Sequence, residues 1–280
     1  MQDLLRFALA LMVVFFHHKH FAIQSALSLP PNDYQPPFDG WCSFIYEYGY
    51  HAVSVFFFLS GYMLASQVQK DCNSPFNTRQ FLIKRLARIY PAHVASLTVM
   101  CTLTVIAGSL QLQLFMTYND DLNNFLASLI FLNGLGVMRD TSFNLPSWSL
   151  GVEFVCYLLF ALICTYITRY RALVFLITLI LGSAITDVAM DPNVDNLGTG
   201  LVFFFSGALA GSAHKLFTKR LIDFGVLGIL VLLTTSVFSF WVSTRVALGT
   251  QKLIWIFVTL PAFVISITHI DFFLDQAGYR

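Results

Sequence analysis

Three groups of polar residues stand inside or against long apolar runs, and each is of a type that can do chemistry. The first is "RFALALMVVFFHHKHF", residues 6–21, where one arginine opens an apolar run and three histidines close it. Arg6 and His17 are eleven residues apart. At ~100° per residue that is about 20° past three full turns, so a helix would carry both on one face. They would be separated by roughly 16 Å along its axis. His20 falls near the same face, and His18 points away. A cation at one end and imidazoles at the other suit anion capture and general-base or nucleophilic chemistry. The same residues also fit a positive-inside anchor and a histidine cap in the headgroup region. A metal on His17 and His20 would lack a third ligand, so none is expected.

The second group is "KRLARIYP", residues 84–91. Arg85 and Arg88 are three apart, so both point to one side of a helix end, and paired guanidiniums suit phosphate capture. Plain anchoring at a membrane face is the competing reading. Pro91 then kinks or begins a span. The third is "NLPSWSLGVEF", residues 144–154, which puts Glu153 several residues into an otherwise apolar helix. A carboxylate there is costly unless it is paired or protonated. An ion pair with a cation from another helix would also account for it. A fourth stretch, "FFFLSGYML" at 56–64, carries Ser60 and Gly61, which permit two helices to approach closely.

The elements that must position these residues are transmembrane helices. The chain has 280 residues, 57% of them hydrophobic and 11% charged, where a soluble domain carries about a quarter charged residues. So little charge cannot cover a water-facing surface. Apolar segments long enough to cross a bilayer lie at 4–23, 44–67, 86–108, 149–168, 172–190, 198–213, 221–242 and 251–270. The expected fold is an all-α, polytopic transmembrane bundle of about eight full spans. Lys70, Arg79, Lys84, Arg85 and Arg88 fall between the second and third spans, which puts that loop and the N-terminus in the cytoplasm. If 122–138 also crossed, Arg169, Arg171, Lys215, Lys219 and Arg220 would fall outside. It is therefore read as a short re-entrant or interfacial segment, lining a covered cavity that leads into "NLPSWSLGVEF".

Other signals narrow the class. The net charge of +1 and the absence of a basic stripe exclude nucleic acid as an expected partner. Cys42, Cys72, Cys101, Cys156 and Cys164 have no partnered spacing and read as small buried hydrophobes. The first apolar segment begins with Asp3 and ends in histidines, unlike a cleaved signal peptide, and is read as a permanent span. Buried charges also fit a secondary transporter or permease, although no internal repeat with paired broken helices is visible.

The four pieces, in this order, resemble the acyltransferase-3 family of integral membrane acyltransferases, which includes O-antigen and exopolysaccharide O-acetylases. Asp3, Arg6 and His17 match its opening motif. Phe56, Phe57, Ser60 and Gly61 match its Phe-Phe-x-x-Ser-Gly element. Arg85, Arg88, Ile89, Tyr90 and Pro91 match Arg-x-x-Arg-Ile-Tyr-Pro, and Trp148, Ser149, Leu150, Glu153 and Tyr157 match Trp-Ser-Leu-x-x-Glu with its later tyrosine. Leu4 and Leu9 depart from the family's usual glycine and alanine. The family's final pair of spans, with a Ser-Tyr-x-x-Tyr-Leu-x-His helix, would begin where the sequence reads "LDQAGYR", so the resemblance implies one membrane acyltransferase domain over 1–280, truncated at its C-terminus.

The resemblance also implies a reaction. An acyl group, usually acetyl, passes from acyl-CoA at the cytoplasmic face to a hydroxyl of a carbohydrate or lipid-linked saccharide acceptor. Acetyl-CoA is then a co-substrate, and no tightly bound cofactor is expected. Arg6, Arg85 and Arg88 would bind the donor's phosphates. His17 would act as base or covalent relay, and Glu153 would orient it or neutralise an arginine. Ser60, Gly61, Trp148, Ser149 and Tyr157 would line the site. The implied location is the bacterial inner membrane, multi-pass, with the N-terminus cytoplasmic.

Overall fold

The computed structural model describes residues 2–24, 38–70, 76–111, 121–135, 143–222, 225–243 and 254–276, and among these there is no β-strand. The helices are α1 (Gln2–Gln24), α2 (Asp39–Tyr48), α3 (His51–Lys70), α4 (Thr78–Ser109), α5 (Leu122–Leu129), α6 (Trp148–Tyr166), α7 (Arg171–Val188), α8 (Pro192–Ile222), α9 (Gly225–Ser243) and α10 (Leu260–Gln276). A 3₁₀ turn, Leu145–Ser147, leads into α6, and a π-helical turn, Trp255–Thr259, leads into α10. Five helical stretches are long and apolar enough to cross a membrane: His51–Val68, Thr78–Ser109, Trp148–Tyr166, Arg171–Val188 and Pro192–Ala213.

The all-helical membrane architecture expected from composition is therefore present, with five such spans among the described residues rather than the expected eight. Two boundaries are corrected. The apolar run 44–67 is not one span, because turn residues Gly49 and Tyr50 break it into the ten-residue α2 and the spanning α3. Hydropathy alone merges the two, since an aromatic-rich interfacial-length helix scores like part of a span. Pro91 neither begins α4 nor stops it: the helix starts at Thr78, capped by Asn77 Oδ1 accepting from Gln80 N at 2.9 Å, and runs through the proline. In the segment read as re-entrant or interfacial, α5 has eight residues, far short of the ~20 needed to span. It is capped by Asp121, whose carboxylate accepts from Asn124 N at 2.7 Å. Beyond it the chain turns through left-handed residues at Phe131 (φ 62°) and Gly134 (φ 77°). Residues 136–138 lie outside the described residues.

Two compact units are present. The first takes Met1–Val14, Gly49–Asn73 and Val202–Arg280. In it α3 packs on the second half of α8 with no room for side chains. A Cβ on Gly61 would overlap the Phe204 carbonyl, one on Gly207 the Phe58 carbonyl, and one on Gly211 the Tyr62 carbonyl. Phe58, Tyr62, Phe204 and Phe205 are buried alongside. Small residues let backbones meet, which in a membrane replaces the hydrophobic driving force that water supplies. α9 and α10 pair through the π turn, with a Ser239–Thr259 hydroxyl hydrogen bond at 2.9 Å.

The second unit takes Phe15–Tyr48 and Ser74–Leu201. Here α6 lies between α4 and α7, with Phe160 stacked on Phe175 (5.5 Å, 13°) and tilted against Phe81 (5.9 Å, 35°). The turn after α5 seats on α6: a Cβ on Gly151 would fall 2.6 Å from the Asn133 carbonyl oxygen, and one on Gly134 would fall 2.6 Å from Trp148 Cβ. α7 exposes Leu173, Leu176, Ile177, Ile180 and Leu181, an apolar face suited to lipid rather than water.

Candidate active site

In the second unit α4 and α6 bring together residues from two of the sequence motifs. Arg85, seven residues into α4, is half-buried with its guanidinium over the rings of Phe81 (5.5 Å) and Tyr157 (5.9 Å). Tyr157 is buried, and its hydroxyl donates to Glu153 Oε1 at 2.5 Å. The i, i+4 spacing on α6 sets that bond, so Glu153 and its later tyrosine form one unit on a single helix face. A hydrogen bond to an ionised group is worth ~1.5–3 kcal/mol and a cation over an aromatic face ~0.5–2 kcal/mol. The hydrogen bond offsets part of the cost of Glu153 in an apolar helix, and the ring contacts part of the cost of half-burying Arg85. Arg85 Nε is buried and donates to no acceptor among the described residues, so the guanidinium keeps donor capacity for an anion.

Arg88 behaves differently. It is exposed on α4, so the two arginines, three apart in sequence, differ in burial. Trp148 opens α6 against Gly134, and Ser149 Oγ donates to the Pro146 carbonyl at 3.2 Å. His17 is half-buried on α1, edge-on to Phe16 at 5.4 Å, while His18 is exposed. The side chain of His20 lies outside the described residues. In the first unit Arg6 Nη2 donates to Met63 Sδ of α3 at 3.0 Å, and Ser60 and Gly61 are buried in the seam with α8. Among the described residues no group of three His, Cys, Asp or Glu side chains is placed to hold a metal.

Two features were not read from the sequence. Tyr157 was assigned only to the lining, yet it stands between Arg85 and Glu153; its position four after Glu153 was the available signal. Gly207 and Gly211 form a small-xxx-small pair whose spacing could have marked α8 as the partner of a helix seam.

Comparison with known proteins gives the family. Residues 3–272 match the family model described as an acyltransferase domain. An uncharacterized protein of Haemophilus influenzae is 29% identical over 211 residues, which is 65% of this chain and 83% of that relative. No solved structure matches. Apolar spanning helices, the ordered motifs and a family match over nearly the whole chain lead to one conclusion: this is a multi-pass membrane acyltransferase, and the chain belongs to the acyltransferase-3 family.

Proposed function

We propose that the protein is an O-acyltransferase that moves an acyl group, acetyl in the first instance, from acyl-CoA at the cytoplasmic face to a hydroxyl of a carbohydrate or lipid-linked saccharide acceptor. The observation that carries the reading is the Arg85–Tyr157–Glu153 cluster, a cation with an unused donor and a carboxylate held together within apolar helices. Such groups at membrane depth mark functional sites by default.

In this reading Arg85 takes a donor phosphate through its free Nε–H, and Arg88 adds longer-range attraction. The thioester carbonyl carbon is attacked by the acceptor oxygen. His17, in its neutral form, removes the hydroxyl proton as the new C–O bond forms, and the thiolate leaves as the C–S bond breaks and takes up a proton. Alternatively His17 Nδ1 or Nε2 takes the acyl group first and passes it on. Tyr157 holds Glu153 through its hydroxyl while its ring lies beneath Arg85, so one side chain fixes both ends of the cluster. The N-terminus is cytoplasmic in a bacterial inner membrane, and α5 with its turn is re-entrant or interfacial.

The test uses the purified chain in proteoliposomes with acetyl-labelled acetyl-CoA. Release of labelled acetate, or its transfer to added saccharide, supports the reading. Absence of both while radiolabelled acetyl-CoA still fails to bind would sink it. Trapping of label on histidine without acceptor separates the relay from the base.

A further inference from the structure

The second unit holds another polar cluster, made of other residues and, among the described residues, containing no charged side chain. It lies where α4, α5 with its following turn, and the 3₁₀ turn before α6 meet. His93 of α4 is 1% exposed, stacked on Phe131 (4.7 Å, 30°), with Nε2 2.8 Å from the Ser128 carbonyl oxygen. A carbonyl only accepts, so Nε2 carries the hydrogen, and the neutral ring presents a lone pair at Nδ1. That Nδ1 is buried with no partner.

The same logic orients Asn133, which is 6% exposed. Its Nδ2 donates to Ser147 Oγ at 2.6 Å, and Ser147 Oγ donates onward to the Asn144 carbonyl at 2.7 Å. The serine hydrogen is thus committed, the amide must face it with nitrogen, and Oδ1 is turned the other way. Asn133 Oδ1 is also buried with no partner. Asn144 Nδ2 donates to Ser96 Oγ at 3.0 Å, and Ser96 Oγ donates to the His93 carbonyl at 2.9 Å, which ties the two halves of the cluster together.

Two acceptors therefore lack a donor, in a cluster whose other members satisfy each other. Buried polar groups are nearly always paired, so the missing elements are two X–H donors, one for each acceptor. Phosphate and carboxylate bring acceptors and do not fit; an ammonium would bring a charge that nothing among the cluster's described residues balances. Two hydroxyls of one ligand fit. The Asn133 backbone meets α6 at Gly151, two residues before Glu153, within one helical turn of that carboxylate.

We propose that this cluster binds the acyl acceptor through two of its hydroxyl groups, one donating to His93 Nδ1 and the other to Asn133 Oδ1. The ligand's O–H chemistry follows from the two acceptors; its role as acceptor rests on the acyl-transfer reading. A resident water has the same chemistry, and the test separates the two.

The full chain in nanodiscs is titrated with methyl glucoside, using inorganic phosphate as control, and read by thermal unfolding and by ¹⁵N-histidine NMR. The glucoside should raise the wild-type Tm, phosphate should not, and the His93 Nδ1 resonance should move. His93→Gln keeps an N–H toward Ser128 and drops the Nδ1 acceptor; Asn133→Leu keeps the shape of the side chain. Each should need about three- to tenfold more glucoside for the same response, the loss of one neutral hydrogen bond. If one variant fails to fold, the other and the wild-type NMR decide. No response in the wild type, or equal half-saturation in every folded variant, overturns the site. An Nδ1 resonance already hydrogen-bonded and unmoved by glucoside assigns the acceptors to water and also overturns it. Wild-type handling of acetyl-CoA is scored apart: acetate release or transfer without glucoside binding defeats this site alone, and glucoside binding with no acetate release, no transfer and no acetyl-CoA binding defeats the acyl-transfer reading alone.

Discussion

The seam between α3 and the second half of α8, in the first unit, and the contact of α4 with α6, in the second, solve different problems. Among the described residues the seam has no charged side chain: glycines at 61, 207 and 211 bring carbonyls against α-carbons, and 56% of the α3 span is buried. In the apolar eighteen-residue stretch of α4 only 11% of the residues are buried, so α4 joins its unit through a few anchoring residues, among them Arg85, His93 and Leu97. Lipid is as apolar as leucine, so close van der Waals contact is what holds the first region together. The second tolerates polar groups whose burial packing alone would not require. Gly61 and Glu153 both belong to motifs, yet they sit in different surroundings: Gly61 faces the Phe204 backbone, while Glu153 accepts from Tyr157, whose ring lies beneath an Arg85 with an unbonded Nε.

The difference can be broken by substitution. His17→Ala should lower transfer ~10²–10⁴-fold, the usual worth of a general base, while Tm and acetyl-CoA binding stay at wild-type values; transfer at the wild-type rate by this variant would remove His17 from the chemistry. Gly61→Leu should act in the opposite way. Inserting a side chain against the Phe204 backbone costs at least ~1–3 kcal/mol, so the yield of monodisperse protein should fall sharply. Residual folded protein should keep its specific activity, and a well-folded but inactive Gly61→Leu would erase the distinction drawn above.

Smaller effects sharpen it. Tyr157→Phe keeps the ring beneath Arg85 and deletes the hydrogen bond to Glu153. A loss of roughly 1.5–3 kcal/mol predicts a ten- to hundredfold fall in kcat at an unchanged elution profile. Arg85→Ala should weaken acetyl-CoA binding about ten- to hundredfold. Arg88→Ala should cost only about threefold, since an exposed charge is screened; equilibrium binding of labelled donor reads both, and a reversed order would show that exposure in this structure misjudges which arginine meets the phosphates. At the small end, His18→Ala should be neutral and His20→Ala intermediate, assayed for transfer at matched protein levels.

The sequence by itself determined what is additive or periodic. Too few charges for a water-facing surface and apolar runs of spanning length made the chain a helical membrane protein. The eleven-residue step from Arg6 to His17 assigned a shared helix face, and four motifs in order identified the family. The four-residue step from Glu153 to Tyr157 contained the hydrogen bond, though not its significance. Tertiary structure decided everything that depends on which side of a helix meets a neighbour. Arg85 and Arg88 look alike in sequence, and only the packing of α6 turns one over Tyr157 and leaves the other exposed. The break at Gly49 and Tyr50 was invisible because hydropathy sums composition without sensing where the backbone turns. His93 drew no notice as a lone histidine after Pro91; its meaning arises because the Ser128 carbonyl, distant in sequence, takes its Nε2 hydrogen and leaves Nδ1 as a buried acceptor. A hydrogen bond's direction depends on what both partners can donate, and for residues far apart along the chain only the fold brings the partners together.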